Sequence, residues 1–455
     1  MEGKDLTQGN LLSNMINFCI PLLITNLLNS LYNIVDGIWV GRLIGEKGVA
    51  SVTNCWPIIL AASSILSAIS VTASIMVANK FASKEREKIK EIITPIYIVA
   101  ILLGLITSGF LIVTLNMWLK ILNTPEEILL MSKQYLVIYL IGYIFNFFAY
   151  TIVESIRATG NSKAPLVLLT LTNIINIILD PIFILIGLGI IGAALASSVA
   201  MICELVISLI YISKRTKLLK FNKKYMKLKK NFLKEVGKIG FPMMFAELST
   251  IFTIILEVYL SNSLGVIGSS AYGIVSKLQS FLYTLGTSIK SMMTVIVAQF
   301  IGKGAFDQLN KVMKNGVKII IVPTVIIAIF LVFCSRWFCS IFTTNEQVIE
   351  MSIEYLSIVG IAFVLIPICL LLMGFVLGTG NTKYSFITLF IASVVEFVVV
   401  LLIQCNYNKP LLALGVSILA WYVTDMIFCT VYYFSKKWRK EIIAYSNEKW
   451  YNTKV

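Results

Sequence analysis

Between residues 14 and 435 the chain is a succession of long apolar runs separated by short polar or basic stretches. Each run is about 20 residues or longer, the length that carries an α-helix across the hydrocarbon core of a bilayer. None shows the alternation that marks the strands of a membrane barrel. The pattern predicts twelve spans, at about 14–41, 48–80, 89–119, 128–157, 164–187, 190–213, 241–263, 269–300, 315–342, 348–378, 384–404 and 410–435. Several exceed the minimum length, so tilt, kinks or interfacial ends are expected. No A-x-A-like cleavage site follows the first run, so no removable signal peptide is expected.

Composition agrees with the pattern. The 455 residues are 58% hydrophobic and 13% charged, about half the charged fraction of a soluble protein, and the mean hydropathy is +0.88. The net charge of +15 would suit a nucleic-acid binder if it formed one patch, but its placement points elsewhere. Assigned to alternate sides of the twelve spans, 30 Lys and Arg fall with the N-terminus and 6 on the other side, while Lys277 and Lys290 lie inside a span. That asymmetry predicts cytoplasmic N- and C-termini, an even number of spans and a multi-pass protein of the cell (inner) membrane. The partners expected are therefore the lipid bilayer and small molecules, not nucleic acid. The eight cysteines include no C-x-x-C pair and there is no histidine, which leaves carboxylates as the useful titrating groups within the membrane.

The chain repeats itself. "RATGNSKAP" at 157–165 recurs as "LGTGNTKYS" at 377–385, an offset of 220. Pro21 matches Pro242, Trp118 matches Trp337, and Glu126, Met131, Ser132, Tyr135 and Leu136 match Glu346, Met351, Ser352, Tyr355 and Leu356. Six spans per copy return each copy to the side it started from, so the copies should be parallel repeats. The predicted fold is an all-α polytopic membrane protein with twelve transmembrane helices in two six-helix lobes. Its divisions are an N-terminal lobe (1–213), a basic cytoplasmic linker (214–238), a C-terminal lobe (239–435) and a cytoplasmic tail (436–455). Two such lobes suit a secondary transporter working by alternating access. The G-x-x-x-x-G-K-[ST] phosphate loop is absent, so ATP is not an evident energy source, and no cofactor beyond a coupling ion is expected.

The candidate chemistry lies in two polar stripes. In "TNLLNSLYNIVDGIWVGRLIG", residues 25–45, Asn26, Asn29, Asn33 and Asp36 are spaced 3, 4 and 3 and share a helix face. In span five, Asn173, Asn176 and Asp180 are spaced 3 and 4. Both aspartates lie a turn or two inside the same end of their helices and can meet at one depth. Two neighbouring carboxylates in hydrocarbon must share a proton or a cation, and carboxylate and amide oxygens suit a hard cation. The alternative is pairing with a buried lysine, but no Lys or Arg lies in the core of spans one to six. Pro21, fifteen residues before Asp36, either kinks span one or starts its helix. Among weaker acids, Glu257 is the register partner of Asp36, Glu204 matches Asp425, and Glu247 and Glu396 lie in C-lobe spans. Lys277 and Lys290 are read as ion-pair partners for these C-lobe acids.

Taken in order, "YNIVDGIWVGRLIG", "RATGNSKAP" with its echo, "NIILDPIFILIGLGIIGAALASS" and "GSSAYGIVSKLQSF" resemble the multidrug and toxic compound extrusion (MATE) transporters over nearly the whole chain. The pattern is closest to the bacterial and archaeal DNA-damage-inducible (DinF-like) branch. The resemblance implies efflux of organic, often cationic, compounds in exchange for Na⁺ or H⁺, with an N-lobe ion site of Asp36, Asn176, Asp180 and a span-six hydroxyl, here Ser197. It implies that Pro21 is a bending proline. In other branches of the family a C-lobe site uses a glutamate about eight residues after the span-seven proline; this chain has Thr250 there, with Glu247 one turn earlier. A single chain can hold the whole pathway, so a monomer is expected. A flippase for a lipid-linked saccharide and a non-transporting receptor or scaffold are the rival readings.

Overall fold

The computed structural model describes residues 4–122, 124–407, 409–436 and 438–439. The expected tail, 436–455, lies largely outside them. Among the described residues the regular structure is entirely helical. The helices are α1 (Leu11–Leu43), α2 (Glu46–Ala82), α3 (Arg86–Val113), α4 (Leu115–Ile121), α5 (Glu126–Ala158), α6 (Lys163–Phe183) and α7 (Gly189–Arg215). They continue with α8 (Lys230–Ser263), α9 (Gly265–Gly302), α10 (Leu309–Phe333), α11 (Ser335–Ser340), α12 (Glu346–Gly378), α13 (Thr382–Tyr407) and α14 (Pro410–Ser435).

Eleven helical stretches are long and apolar enough to cross a membrane, and one of them, Lys163–Arg215, runs for 53 residues. At about 1.5 Å per residue that is roughly 80 Å, far more than the ~30 Å hydrocarbon core. The stretch resolves into two crossings. After a π turn at Ile184–Leu188 the backbone passes through Gly187 (φ +94°) and Gly189 (φ +53°), and α7 turns back alongside α6. Among the described residues the helical spans therefore number twelve.

Two expected spans end differently from the apolar pattern. The runs 89–119 and 315–342 are each a spanning helix followed by a short one, broken at Thr114 and at Cys334. At the first break the Thr114 hydroxyl donates to the Phe110 carbonyl at 2.7 Å and accepts from Trp118 Nε1 at 2.9 Å. A side chain that bonds nearby backbone in this way competes with the helix ladder. Hydropathy alone cannot register such a break.

The repeated motif has a local cause. Gly160 and Gly380 adopt φ +81° and +80°, a left-handed conformation that glycine takes without strain. Each donates back to the preceding helix, to the carbonyls of Arg157 and Leu377, at 2.8 Å in both. Asn161 and Asn381 then start the next helix, their Oδ1 atoms accepting from the backbone N–H groups of Ala164 (3.1 Å) and Tyr384 (3.0 Å). T-G-N-[ST]-K is thus a stop-and-start signal between spans four and five of each copy.

The helices group into two units. One comprises residues up to 8 and Asn17–Met244, the other Gly9–Ile16 and the chain from Phe245. In the first, α5 packs against α2, α3 and α7, and α6 against α7. In the second, α12 occupies the equivalent central place against α9, α10 and α14, and α13 packs on α14. Both central helices are 33 residues long and begin at register-matched glutamates, Glu126 and Glu346. Between α7 and α8 the basic segment is not loose. Its Leu219 is fully buried, with its carbonyl accepting from Tyr97 at 3.2 Å, and the Asn222 N–H donates to Thr94 Oγ1 at 2.9 Å.

Close packing of the α6–α7 hairpin requires a missing side chain. A Cβ placed on Gly192 would lie 2.7 Å from the carbonyl carbon and oxygen of Phe183. Because the obstacle is backbone, the hairpin itself would have to open. Gly192→Ala is therefore expected to destabilise the protein by about 1–3 kcal/mol, as overpacking does, read as a lowered midpoint in thermal unfolding of the detergent-purified protein.

Candidate ion site

In the first unit α1, α6 and α7 bring a set of polar side chains together. The α6–α7 turn places Ser197 across from Asn176, and both are buried. Asp180, one turn further along α6, is wholly inaccessible. The amide of Asn176 is turned so that its Nδ2 donates to Asp180 Oδ2 at 2.7 Å while its oxygen accepts from Ser197 Oγ (3.3 Å) and from the Ser197 N–H (3.1 Å). The opposite rotamer, with Nδ2 towards Ser197 Oγ at 3.3 Å, would set the amide oxygen against the carboxylate, acceptor against acceptor. Asp180 Oδ1 has no hydrogen-bond partner. The half-buried carboxyl group of Asp36 lies beside that of Asp180.

This arrangement is incomplete without an ion. A buried carboxylate oxygen with no donor loses its hydration without replacement, and a second carboxylate beside it adds repulsion. A proton shared between Asp36 and Asp180, or a hard cation among these oxygens, removes both penalties. Pro181 follows Asp180 directly and has no N–H, so the carbonyl of Ile177 loses its helical donor and adds another free acceptor on α6.

The remaining expected residues divide. Asn173 joins the cluster from below, its Nδ2 donating to Asn29 Oδ1 at 2.7 Å and tying α6 to α1. Asn33 does not join it; the residue is exposed. Tyr32 takes that place beside Asp36, Asp180 and Ser197. Spacing could not separate the two, since 29, 32, 36 and 29, 33, 36 both follow helical periodicity. Pro21 lies inside α1, ten residues after its start at Leu11, which removes the helix-start alternative. The Thr25 hydroxyl donates to the Pro21 carbonyl at 2.7 Å.

In the second unit the ion-pair expectation holds for one lysine. Lys290 Nζ lies 4.0 Å from Glu247. Lys277 instead sits over the Phe342 ring at 4.7 Å from its centroid, a cation–π contact. Glu257 has a tyrosine for its partner, with Tyr272 donating to Oε2 at 2.8 Å.

Two features escaped the sequence reading. One is a ladder of rings on α5, in which Tyr135, Tyr139, Tyr143 and Phe147 follow at four-residue intervals with centroids 5.6–5.8 Å apart. Its i, i+4 spacing was available as a signal. The other is a buried Glu154–Arg157 ion pair near the end of α5, with Glu204 of α7 nearby and bonded to Asn146 Nδ2 at 3.5 Å.

Comparison with known proteins places this geometry. The family model described as MatE matches residues 21–182 and 230–402. The probable multidrug resistance protein YoeA of Bacillus subtilis is 27% identical over 447 residues, covering 95% of each chain. The multidrug export protein MepA of Staphylococcus aureus (strain MRSA252) is 24% identical over 399 residues, covering 87% of each. Among solved structures, a MOP superfamily transporter from Pyrococcus furiosus superposes with a TM-score of 0.87 at 20% identity, covering 98% of both chains. The Vibrio cholerae MATE transporter VcmN in its bent form gives 0.85 at 18% identity, covering 95% of this chain and 97% of its own. At such identities the structural likeness speaks for the fold.

The hydrogen bond from Asn176 to Asp180 has a testable energy. Asn176→Leu leaves both oxygens of a buried carboxyl without a donor, and is expected to lower stability by about 1–3 kcal/mol. Adding Asp180→Val, which copies Val400 at the equivalent position of the second repeat, should recover part of that loss because the stranded group is gone. Thermal unfolding of the two single variants and the double variant reads the coupling.

Proposed function

From the premise that this chain belongs to the MatE family, whose members are membrane transporters and not enzymes, we propose that it exports organic, often cationic, compounds in exchange for Na⁺ or H⁺ by alternating access. The observation that carries the reading is the Asp36–Asp180 pair, in which a fully buried carboxylate oxygen lacks any donor beside a second carboxyl group. Such a pair has an affinity for a positive ion built into its position.

The cycle follows from charge balance. With one monovalent ion bound, the Asp36–Asp180 pair carries a single negative charge instead of two, and the α1–α6 interface closes. With the ion released, two carboxylates repel across it and the site is again receptive. Asn176 and Ser197 hold Asp180 in place, and the Asn29–Asn173 bridge keeps the two helices in register at the other end of the cluster. One cation moving down a membrane potential releases roughly 2.3 kcal/mol per 100 mV. At about 1.4 kcal/mol per decade, that sustains about 1.7 decades of substrate gradient before any chemical gradient of the ion is counted. Export to a modest gradient needs one coupling ion per cycle. In the same reading the protein works as a monomer in the cytoplasmic membrane with both termini in the cytoplasm, as the asymmetry of 30 basic residues to 6 supports. The names of YoeA and MepA, both described through multidrug resistance or export, support the substrate class.

Asp36→Asn and Asp180→Asn are each expected to reduce gradient-driven dye efflux from vesicles by at least about tenfold, equivalent to losing about 1.4 kcal/mol of coupling, with expression unchanged. Imposing a Na⁺ gradient and a pH gradient separately identifies the ion. Wild-type rates in both variants would remove the site assignment, and translocation of a lipid-linked saccharide without dye efflux would replace the substrate class.

A further inference from the structure

The basic segment between α7 and α8 is charged on one sign only, and the structure fixes where that charge is held. From residue 205 to 234 the chain has ten Lys and Arg and no Asp or Glu. All ten, from Lys214 to Lys234, are exposed. Between α2 and α3, on the same side of the spans, bases are answered locally. There Lys80 and Lys88 meet Glu85 at 3.1 and 2.7 Å, and Lys90 meets Glu87 at 2.7 Å. Among the described residues no ion pair reaches any of the ten bases of the linker. Orienting the spans requires bases in this loop but does not require them to stay uncompensated.

The depth of the segment is set by α3. The charged start of that helix, REKIKE at 86–91, gives way at Ile92 to a run with no charged residue before Lys120. Such a change marks the headgroup level of a bilayer, where charged side chains end and hydrocarbon begins. Thr94 and Tyr97 lie just past it, and both hold the linker. The Asn222 N–H donates to Thr94 Oγ1 at 2.9 Å, and the Tyr97 hydroxyl donates to the Leu219 carbonyl at 3.2 Å. The short turns Lys217–Leu219 and Lys223–Tyr225 both pack on α3. The linker is therefore pinned beside the membrane boundary instead of looping away from it. Its lysines, on long flexible stems, extend from that level.

The side chains between the lysines fit the same surroundings. Phe221 and Met226 are 38% and 48% exposed. Apolar groups interleaved with lysines suit a membrane interface, where the first enter the acyl boundary and the second stay among the phosphates. Nucleic acid would match the charge but neither the depth nor the apolar side chains.

We propose that the linker from Lys214 to Lys234 is a docking surface for the headgroups of anionic phospholipids. Lys217, Lys220, Lys223 and Lys224, around the pinned backbone of Leu219–Asn222, form its fixed centre. The choice of the cytoplasmic leaflet rests on the orientation read from the basic asymmetry. The binding itself rests neither on that orientation nor on the antiport reading.

Electron paramagnetic resonance of the full-length protein in phosphatidylcholine bilayers, with trace spin-labelled phosphatidylglycerol or phosphatidylcholine, reads lipid held at the protein. At low salt the wild type is expected to hold phosphatidylglycerol at least about threefold more strongly. That preference should shrink at 1 M salt, where screening acts within about 3 Å. A variant with Lys220→Gln, Lys223→Gln and Lys224→Gln should lose about half of it or more. Arginine at the same three positions should keep it. A control with Lys311→Gln, Lys314→Gln and Lys318→Gln, exposed bases of α10, should keep it as well. An unchanged preference in the linker glutamine variant would overturn the proposal, as would an equal loss in the control, which marks a diffuse effect of net charge. Loss of the preference to inorganic phosphate, but not to chloride of equal ionic strength, would make the ligand a free phosphate anion instead. Capture of a fluorescent oligonucleotide without any preference for phosphatidylglycerol would replace the membrane with nucleic acid.

Discussion

Hydrocarbon cannot solvate an ionised carboxylate, and the placement of several acids in the membrane spans of this protein answers to that constraint. Three solutions occur. Glu154 meets Arg157 and Glu247 meets Lys290, so these charges are matched by fixed cations. Glu257 takes a phenol donor from Tyr272. Asp180, Glu204 and Glu396 each keep one oxygen with no hydrogen-bond partner. The first solution makes a permanent structure; the last leaves a group whose neutralisation has to come from outside the protein. A transporter needs both kinds, one to hold the helices and one to respond.

The duplication shows how the buried acids relate. Asp36 and Glu257 occupy one position of the repeat, and the contacts Asn29–Asn173 and Ser249–Ser393 join the equivalent helices within one residue of the same level. The scaffold is shared: α5 and α12 are central to their units and end in the same glycine and asparagine turn. The halves are not copies, because the buried acids of α6 and α13 lie one helical turn apart in the repeat. In the first, that turn frees position 176 for an amide, which donates to Asp180 and accepts from Ser197. In the second, position 176 is itself the acid, and no amide remains.

Much of this was legible in the chain because bilayer thickness and helical periodicity act locally. Span number, the repeat and the shared face of Asn173, Asn176 and Asp180 all follow from spacing within one segment. Boundaries such as Thr114 were not, because a single hydroxyl bond that breaks a helix leaves the apolar average unchanged. The exchange of Tyr32 for Asn33 was not legible either. Both satisfy the period, and only the packing of α6 against α1 selects between them. Glu257 stands in register with Asp36, while Glu396 is matched to an asparagine, so the repeat singles out only the first of these two buried acids.

The prolines add a constraint on how an ion can be felt elsewhere. Pro21 precedes Asp36 by fifteen residues, and Pro242 precedes Glu257 by the same fifteen. Both prolines lie inside their helices, where each removes one ladder hydrogen bond. Fifteen residues of α-helix span about 22 Å, so neither ring can touch its acid, and no direct electrostatic effect reaches it through the intervening turns. Whatever neutralising the carboxyl does to the proline must travel as bending of the helix. The acid is at the far end of a lever, where a small lateral displacement suffices, and the weakened backbone is where a helix yields first. The same spacing in both halves gives each repeat an internal proline and an acid fifteen residues apart on one helix.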